Sequence, residues 1–273
     1  MYGNKYKVID IHTHVYPENI SARACENLGN FYNFPVSCKG TYQDLYEQAN
    51  GLGFDGFLLF SVAGNVKNVE RVNDYTMSMV NLSKSQGYET TGFMAMHQDY
   101  PDFKKEVERC EKIGLKGVKI HPDFQQVDID SPKLLPLYEI IEGRLPIILH
   151  MGDDRPEYRY SEPKRLAKVL DIFPKLEVVA AHLGGYRAWD EAKEYLYGRP
   201  NVWYDNSSVL WAMSASEATE IMRACGTDRV MFGTDYPMPS LKSYTELFMK
   251  CVLTEKERED IFYNNAKRFL KYD

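Results

Sequence analysis

The stretch KVIDIHTH, residues 7–14, decides the fold. It is a near-continuous apolar run, and it ends in two histidines one residue apart, His12 and His14. An open doubly wound α/β sheet would follow its first strand with a glycine-rich phosphate loop. Here the first strand runs into imidazoles instead. Seven more apolar runs follow: DGFLLFS (55–61), TTGFMAMH (90–97), LKGVKIH (115–121), LPIILH (145–150), EVVAAH (177–182), NVWYDNS (201–207) and RVMFGTD (229–235). Most are continuously hydrophobic rather than alternating, the signature of parallel strands covered on both faces.

Helical signals separate the runs. Thr41 with Asp44 three residues on reads as an N-cap. In residues 101–114 the stripe Phe103, Val107, Cys110 and Ile113 ends at a glycine. The segment SPKLLPLYEII (131–141) starts at Ser131 as cap, and Pro136 is expected to kink or split its helix. Residues 254–270 read as a closing helix. Eight β-then-α units with right-handed crossovers imply a single (β/α)8 TIM barrel over residues 1–273, close to the ~250 residues such a barrel needs.

Whole-chain numbers narrow the function. The chain of 273 residues is 44% hydrophobic and 26% charged with a net charge of −6, an ordinary globular composition that argues against a nucleic-acid-coating surface. No apolar run approaches the ~20 residues that span a bilayer. The N-terminus lacks a signal-peptide core. The five cysteines are scattered without a CxxC pair, so a cytoplasmic enzyme is expected rather than a disulfide framework or thiolate site.

The polar residues sit where a barrel puts its chemistry. All six histidines close expected strands: His12 and His14, His97, His121 (with Lys119 two residues before), His150 and His182; Asp235 closes the eighth. In a barrel those C-terminal ends converge on the catalytic face. Alternation along a strand puts Asp10, His12 and His14 on one face, and Lys119 with His121. A catalytic zinc takes about three N or O ligands and keeps one position open. His12, His14, His150 and Asp235 supply such a set, with Asp10 expected to orient imidazole N–H groups behind it.

The motifs IDIHTH, GVKIHP, PIILHMG, VVAAHLGG and MFGTDYP, in that order across residues 8–237, resemble the metal-dependent amidohydrolase superfamily. The matching branch is the amidohydrolase 2 family, which includes the aminocarboxymuconate-semialdehyde and resorcylate decarboxylases. The resemblance implies one divalent ion, most often zinc, on His12, His14, His150 and Asp235, and acid–base work or substrate polarisation by His182. In some binuclear members the strand-four lysine is carboxylated and bridges two ions; for Lys119 the alternatives are a grip on a substrate carboxylate, a local ion pair, or a purely structural position.

Arg155, Arg159 and Arg187 follow strands five and six, a local basic content that fits a small anionic substrate. The same loop offers Asp153, Asp154 and Glu157 as salt-bridge partners instead. His121 and His97 are expected to line the pocket with Arg155 and Lys119, and the aromatic stretch 15–45 to fold over it. Trp203, Tyr204 and Trp211 would line either the pocket or a homodimer interface.

The first functional expectation is a hydrolase of an amide, lactone or ester, with Asp235 taking a proton from a metal-activated water and His182 or Arg155 stabilising the oxyanion. The alternative is a metal-dependent non-oxidative decarboxylase acting on an unsaturated or aromatic carboxylic acid. A TatD-like phosphoesterase fits less well, because those chains carry glutamate at strand four and ETD at strand eight. A non-catalytic scaffold would have a broken ligand set, and this one is complete.

Overall fold

The computed structural model describes residues 5–271. Nine strand segments run β1 (Ile9–His14), β2 (Gly56–Phe60), β3 (Glu89–Gly92), β4 (Met94–Ala95), β5 (Val118–Ile120), β6 (Ile147–Leu149), β7 (Val178–Ala180), β8 (Val202–Asp205) and β9 (Val230–Met231). All pair in parallel, in the orders β1-β2-β3 and β4 through β9. β3 and β4 are one barrel strand interrupted at Phe93: the Phe93 N–H donates back to Leu59 O (3.0 Å), while the Met94 N–H donates forward to Gly117 O (2.8 Å). Closure comes from the Ile11 N–H to Phe232 O (2.9 Å), the Asp235 N–H to His12 O (3.0 Å) and a parallel bridge between Thr13 and Tyr236. The result is the eight-stranded (β/α)8 barrel, with no open sheet edge left to protect.

Two cores explain why the strands read as unbroken apolar runs. Inside the barrel pack Ile9, Ile11, Leu58, Phe60, Phe93, Ile148, Val179, Trp203 and Met231, plugged from below by Ala266 and Phe269 of the C-terminal helix. The alternate residues, such as Leu59, Val118, Ile147 and Val178, face the helical ring through Leu45, Val107, Leu137 and Leu166. Trp203 and Tyr204 are thus buried, one in each core, and neither forms an exposed interface as the sequence reading allowed. Trp211 is half-buried against the Phe34 ring, 5.0 Å away.

The helical grammar holds in most places. Thr41 caps Tyr42–Leu52 by accepting the Asp44 N–H, and Phe103–Ile113 runs from Asp102 to Gly114 in the left-handed region. The expected kink at Pro136 does not occur. The helix is only Leu135–Ile141, so Pro136 sits in its first turn, where a missing N–H costs nothing. The closing segment is not one regular helix: a π-helical stretch, Asp260–Asn264, separates Glu255–Glu259 from Asn265–Leu270. Helix α1 (Glu18–Tyr32) lies in the long β1–β2 connection and carries its C-terminal aromatics to the C-terminal mouth of the barrel. No helix among the described residues is long and apolar enough to cross a membrane.

Candidate active site

β1 pairs with β2 through a register irregularity between Asp10 and Thr13. That break separates Asp10 from the histidines it was expected to orient. Its carboxylate instead accepts the backbone N–H groups of His12 and Thr234 (3.0 Å each) and the Thr234 hydroxyl (2.6 Å), pinning β1 to the end of β9. Burial pushes the Asp10 carboxyl up to about 7 against those hydrogen bonds. Gly233 lets the two strands approach, since a Cβ there would meet the His12 Cβ at 2.8 Å and the Ser207 Cβ at 3.3 Å.

Above that floor, His12, His14 and Asp235 come together with ligand atoms within 4.8 Å of one another. Asp235 Oδ1 stands 3.4 Å from His12 Nε2 and 3.6 Å from His14 Nε2, and the Ser208 hydroxyl donates to its Oδ2. His14 Nδ1 is buried without a hydrogen-bond partner. His150 lines the same cavity of about 230 Å³ as these three residues but groups most tightly with His121 and Asp123. Its ring stacks on His121 (centroids 3.9 Å apart, 11° between planes), its Nδ1 faces His182 Nε2 at 3.0 Å, and its buried Nε2 has no partner. The unpartnered His150 Nε2 near Asp123, and the His12 and His14 Nε2 atoms that converge on Asp235 Oδ1, are nitrogen and carboxylate donors of the kind a divalent cation satisfies. Burial, reinforced by the other charges clustered here, lowers the pKa of His14, His121 and His150, which favours the neutral, ligating form.

His182 follows β7 at the start of a turn. Its Nδ1 faces the Ser207 carbonyl (2.9 Å) and the Ser207 hydroxyl (3.0 Å). Four residues here hold left-handed backbone: His182 (φ 58°), Leu183 (55°), Ser208 (62°) and Asp235 (66°). Such conformations cost about 1–3 kcal/mol each and cluster at functional sites. Lys119 is buried, with Nζ 3.4 Å from His12 Nε2 and 4.8 Å above the Phe60 ring. It has no carboxylate at ion-pair distance among the described residues. Burial pushes its ammonium down to about 8 against the pull of Asp205 and Asp235.

Two expected binding residues do other work. His97 accepts the Asp99 N–H (3.2 Å) in its own turn and lines neither cavity of the site. Arg155 lines the outer cavity of about 350 Å³, but its Nε and Nη2 grip Asp153 (2.9 and 2.6 Å) and its Nη1 donates to Phe31 O. Stacked over the Phe31 and Tyr158 rings, it anchors the end of α1. Arg187 pairs with Asp154 at 3.2 Å. His121 does reach the pocket wall: its Nδ1 accepts the Phe124 N–H, so Nε2 carries the hydrogen and donates to Tyr32 Oη at 2.8 Å.

Asp205, Ser207, Ser208 and Asp123 were absent from the sequence reading. Asp205 is buried at the end of β8, with Oδ2 2.9 Å from His12 Nδ1. Strand parity offered the signal, since Trp203 points into the barrel and Asp205 and Ser207 follow at the same phase. Asp123 receives the Ser161 hydroxyl at 2.5 Å, and its Oδ2 is 3.8 Å from His150 Nε2.

Residues 9–272 match the family model described as Amidohydrolase. The protein belongs to the amidohydrolase family. Among curated relatives is the 2-amino-3-carboxymuconate-6-semialdehyde decarboxylase of Caenorhabditis elegans, 24% identical over 238 residues; the match covers 62% of this chain and 58% of that relative's length. The γ-resorcylate decarboxylase of Polaromonas sp. is 21% identical over 252 residues, covering 75% of this chain and 76% of its own. A solved structure of a dihydroxybenzoic acid decarboxylase from Polaromonas sp. JS666, with bound manganese and the inhibitor 2-nitroresorcinol, shares the fold with a TM-score of 0.71 at 17% identity over 97% of each chain. The chain is thus a member of an enzyme family, and its candidate metal groups lie at the barrel mouth.

Proposed function

We propose that this amidohydrolase is a divalent-metal-dependent, non-oxidative decarboxylase of a small unsaturated or aromatic carboxylic acid. The observation that carries the reading is the buried His182 imidazole beside the His12–His14–Asp235 group, in a mouth walled by Tyr32, Phe34, Tyr186 and Trp211. The relatives named as decarboxylases reverse the order of the two sequence-based expectations, in which hydrolysis came first.

His12, His14 and Asp235 would hold the ion, with His150 as a fourth ligand from across the cavity. A bound divalent ion supplies Lewis-acid charge for the substrate carboxylate and its neighbouring oxygen. Nitrogen and carboxylate donors suit manganese as well as zinc. The overall change replaces a C–CO2 bond with a C–H bond: the bonding pair stays on carbon, a proton joins it, and CO2 leaves. His182 would take a proton from solvent at Nε2 and pass it to that carbon; its own hydrogen is committed to Ser207 at Nδ1, and Nε2 faces His150 Nδ1 at 3.0 Å. Aromatic walls hold a flat acid and exclude water, and the Tyr32 hydroxyl, already accepting from His121, has its own hydrogen free for a substrate oxygen. Lys119 adds positive charge beside His12 that an anionic substrate would balance, so one ion without a carboxylated lysine suffices. Five free cysteines accord with a cytoplasmic setting.

The experiment incubates protein loaded with Mn²⁺ or Zn²⁺ with dihydroxybenzoates, carboxylated unsaturated acids, lactones and amides, and follows CO2. Metal-dependent CO2 release from an acid is the expected result. Acid production from a lactone or amide, with no CO2 from any substrate, would return the hydrolase reading.

A further inference from the structure

Asp205 and Ser207 touch both histidines on which the proposed chemistry depends. Asp205 Oδ1 accepts the backbone N–H of His182 (3.1 Å), the backbone N–H of Ser207 (3.0 Å) and the Ser207 hydroxyl (2.5 Å). Backbone N–H groups only donate, so Oδ1 is an acceptor whatever else changes. Three donors on one oxygen are the environment of an ionised carboxylate. Oδ2, 2.9 Å from His12 Nδ1, then accepts as well, and His12 carries its hydrogen on Nδ1. A neutral imidazole has one N–H and one lone pair. The lone pair of His12 is therefore on Nε2, the atom that faces Asp235 Oδ1 at 3.4 Å.

The same reasoning reaches His182 through Ser207. The Ser207 hydroxyl hydrogen is given to Asp205, which leaves oxygen lone pairs facing His182 Nδ1 (3.0 Å) and His12 Nδ1 (3.1 Å). The Ser207 carbonyl, 2.9 Å from His182 Nδ1, also only accepts. His182 accordingly carries its hydrogen on Nδ1 and its lone pair on Nε2, which faces His150 Nδ1 at 3.0 Å. We infer that Asp205, acting through Ser207, is a positioning residue that selects the tautomers of both His12 and His182, so that one buried carboxylate prepares a metal ligand and the proton-handling base together. The His182 half rests on the decarboxylase reading; the His12 half rests only on metal binding.

Asp205→Asn tests the assignment. The backbone donors keep the amide oxygen at the Oδ1 position, so the NH2 group faces His12 Nδ1. That donor forces the hydrogen onto Nε2 and removes the ligating lone pair. Affinity for Mn²⁺ or Zn²⁺, measured by calorimetry against a competing chelator, should fall about 10- to 100-fold, the usual effect of losing such an orienting group. Ser207→Ala should lower kcat while leaving KM and metal affinity near wild type, and Ser207→Thr should restore kcat. Nitrogen-15 NMR of the metal-free wild type should find His12 and His182 protonated at Nδ1. That measurement needs no variant to fold. Wild-type metal affinity in a folded Asp205→Asn protein, or an Nε2–H His12 in the wild type, overturns the proposal. A wild type that releases no CO2, yet loses metal affinity on Asp205→Asn, removes the decarboxylase reading and leaves the tautomer assignment of His12 standing.

Discussion

Replacing Gly233 by alanine tests how tightly the first and last strands hold the candidate ligands His12 and Asp235. The added methyl would lie 2.8 Å from the Cβ of His12 and 3.3 Å from the Cβ of Ser207. Both atoms are fixed to backbone, so no flexible side-chain end can swing away. Relief requires β1 to move outward from the end of β9, against the Asp235 N–H to His12 O hydrogen bond and the Asp10 carboxylate that ties the strands together. Overpacking of this kind costs about 1–3 kcal/mol. For a chain of this size 2 kcal/mol corresponds to a fall in Tm of roughly 4–8 °C. Because the displaced atom belongs to His12, metal affinity should fall at least about tenfold as well. The assay is thermal unfolding by circular dichroism in chelator and in excess Mn²⁺, with calorimetry for affinity. Gly51→Ala serves as the internal reference: a methyl there meets nothing within 4 Å, so it should stabilise its helix by about 0.5–1 kcal/mol. A Gly233→Ala protein with Tm within about 1 °C of wild type and unchanged metal affinity refutes the reasoning.

Gly117→Ala would drive a methyl to 2.5 Å from the Phe93 ring and should cost about 1–3 kcal/mol, most of it recovered in the double variant with Phe93→Leu; denaturant titration of the four proteins gives the coupling. Arg155→Ala should lower kcat/KM about tenfold with little change in Tm, and Asp153→Asn should reproduce it if Arg155 acts by anchoring α1; a normal Asp153→Asn protein beside a crippled Arg155→Ala protein would show that the arginine meets substrate directly. Glu257 completes a capping box with Thr254 and pairs with Arg223, and its carboxyl is lowered from 4.5 to about 2, with the Arg223 hydrogen bond the largest cause. A depressed folded pKa means the contribution is complete above pH 4.5 and is lost as pH falls through about 2. Glu257→Gln should therefore cost about 1 kcal/mol at pH 7, and equilibrium unfolding should show the gap from wild type closing over that acid window.

The barrel was legible because each strand is buried on both faces and each ends in a residue too polar for the core. Apolar runs closing on His12, His150, His182 and Asp235 could hardly mean anything but one shared mouth. The covering role of residues 15–45 was legible from aromatics such as Tyr32 outside any strand. Asp10 was misread because parity assumes an unbroken ladder, and β1 breaks its register between Asp10 and Thr13, within the stretch that carries the candidate ligands His12 and His14. Asp205 went unseen because carboxylates are common at strand ends, and only the fold brings this one to His12 across 193 positions of chain. For Arg155 the sequence left a substrate grip and a salt bridge within its own loop both open, and only the fold shows Asp153 and Phe31 O taking its donors.

The left-handed backbone at His182 and Asp235 narrows what evolution could place there before any chemistry is considered. Asparagine, aspartate and histidine enter that region several times more readily than other side chains, and β-branched residues hardly at all. The torsional demand and the chemical demand thus select from the same short alphabet. A lineage that abandoned catalysis would still be held near these residue types by geometry alone, so a histidine or aspartate at these two positions is weaker testimony of activity than one at His12 or His150. For the experimenter the same coincidence is useful. Asp235→Asn and His182→Asn change the charge or the ring while leaving the turn content, which makes them cleaner probes of function than alanine.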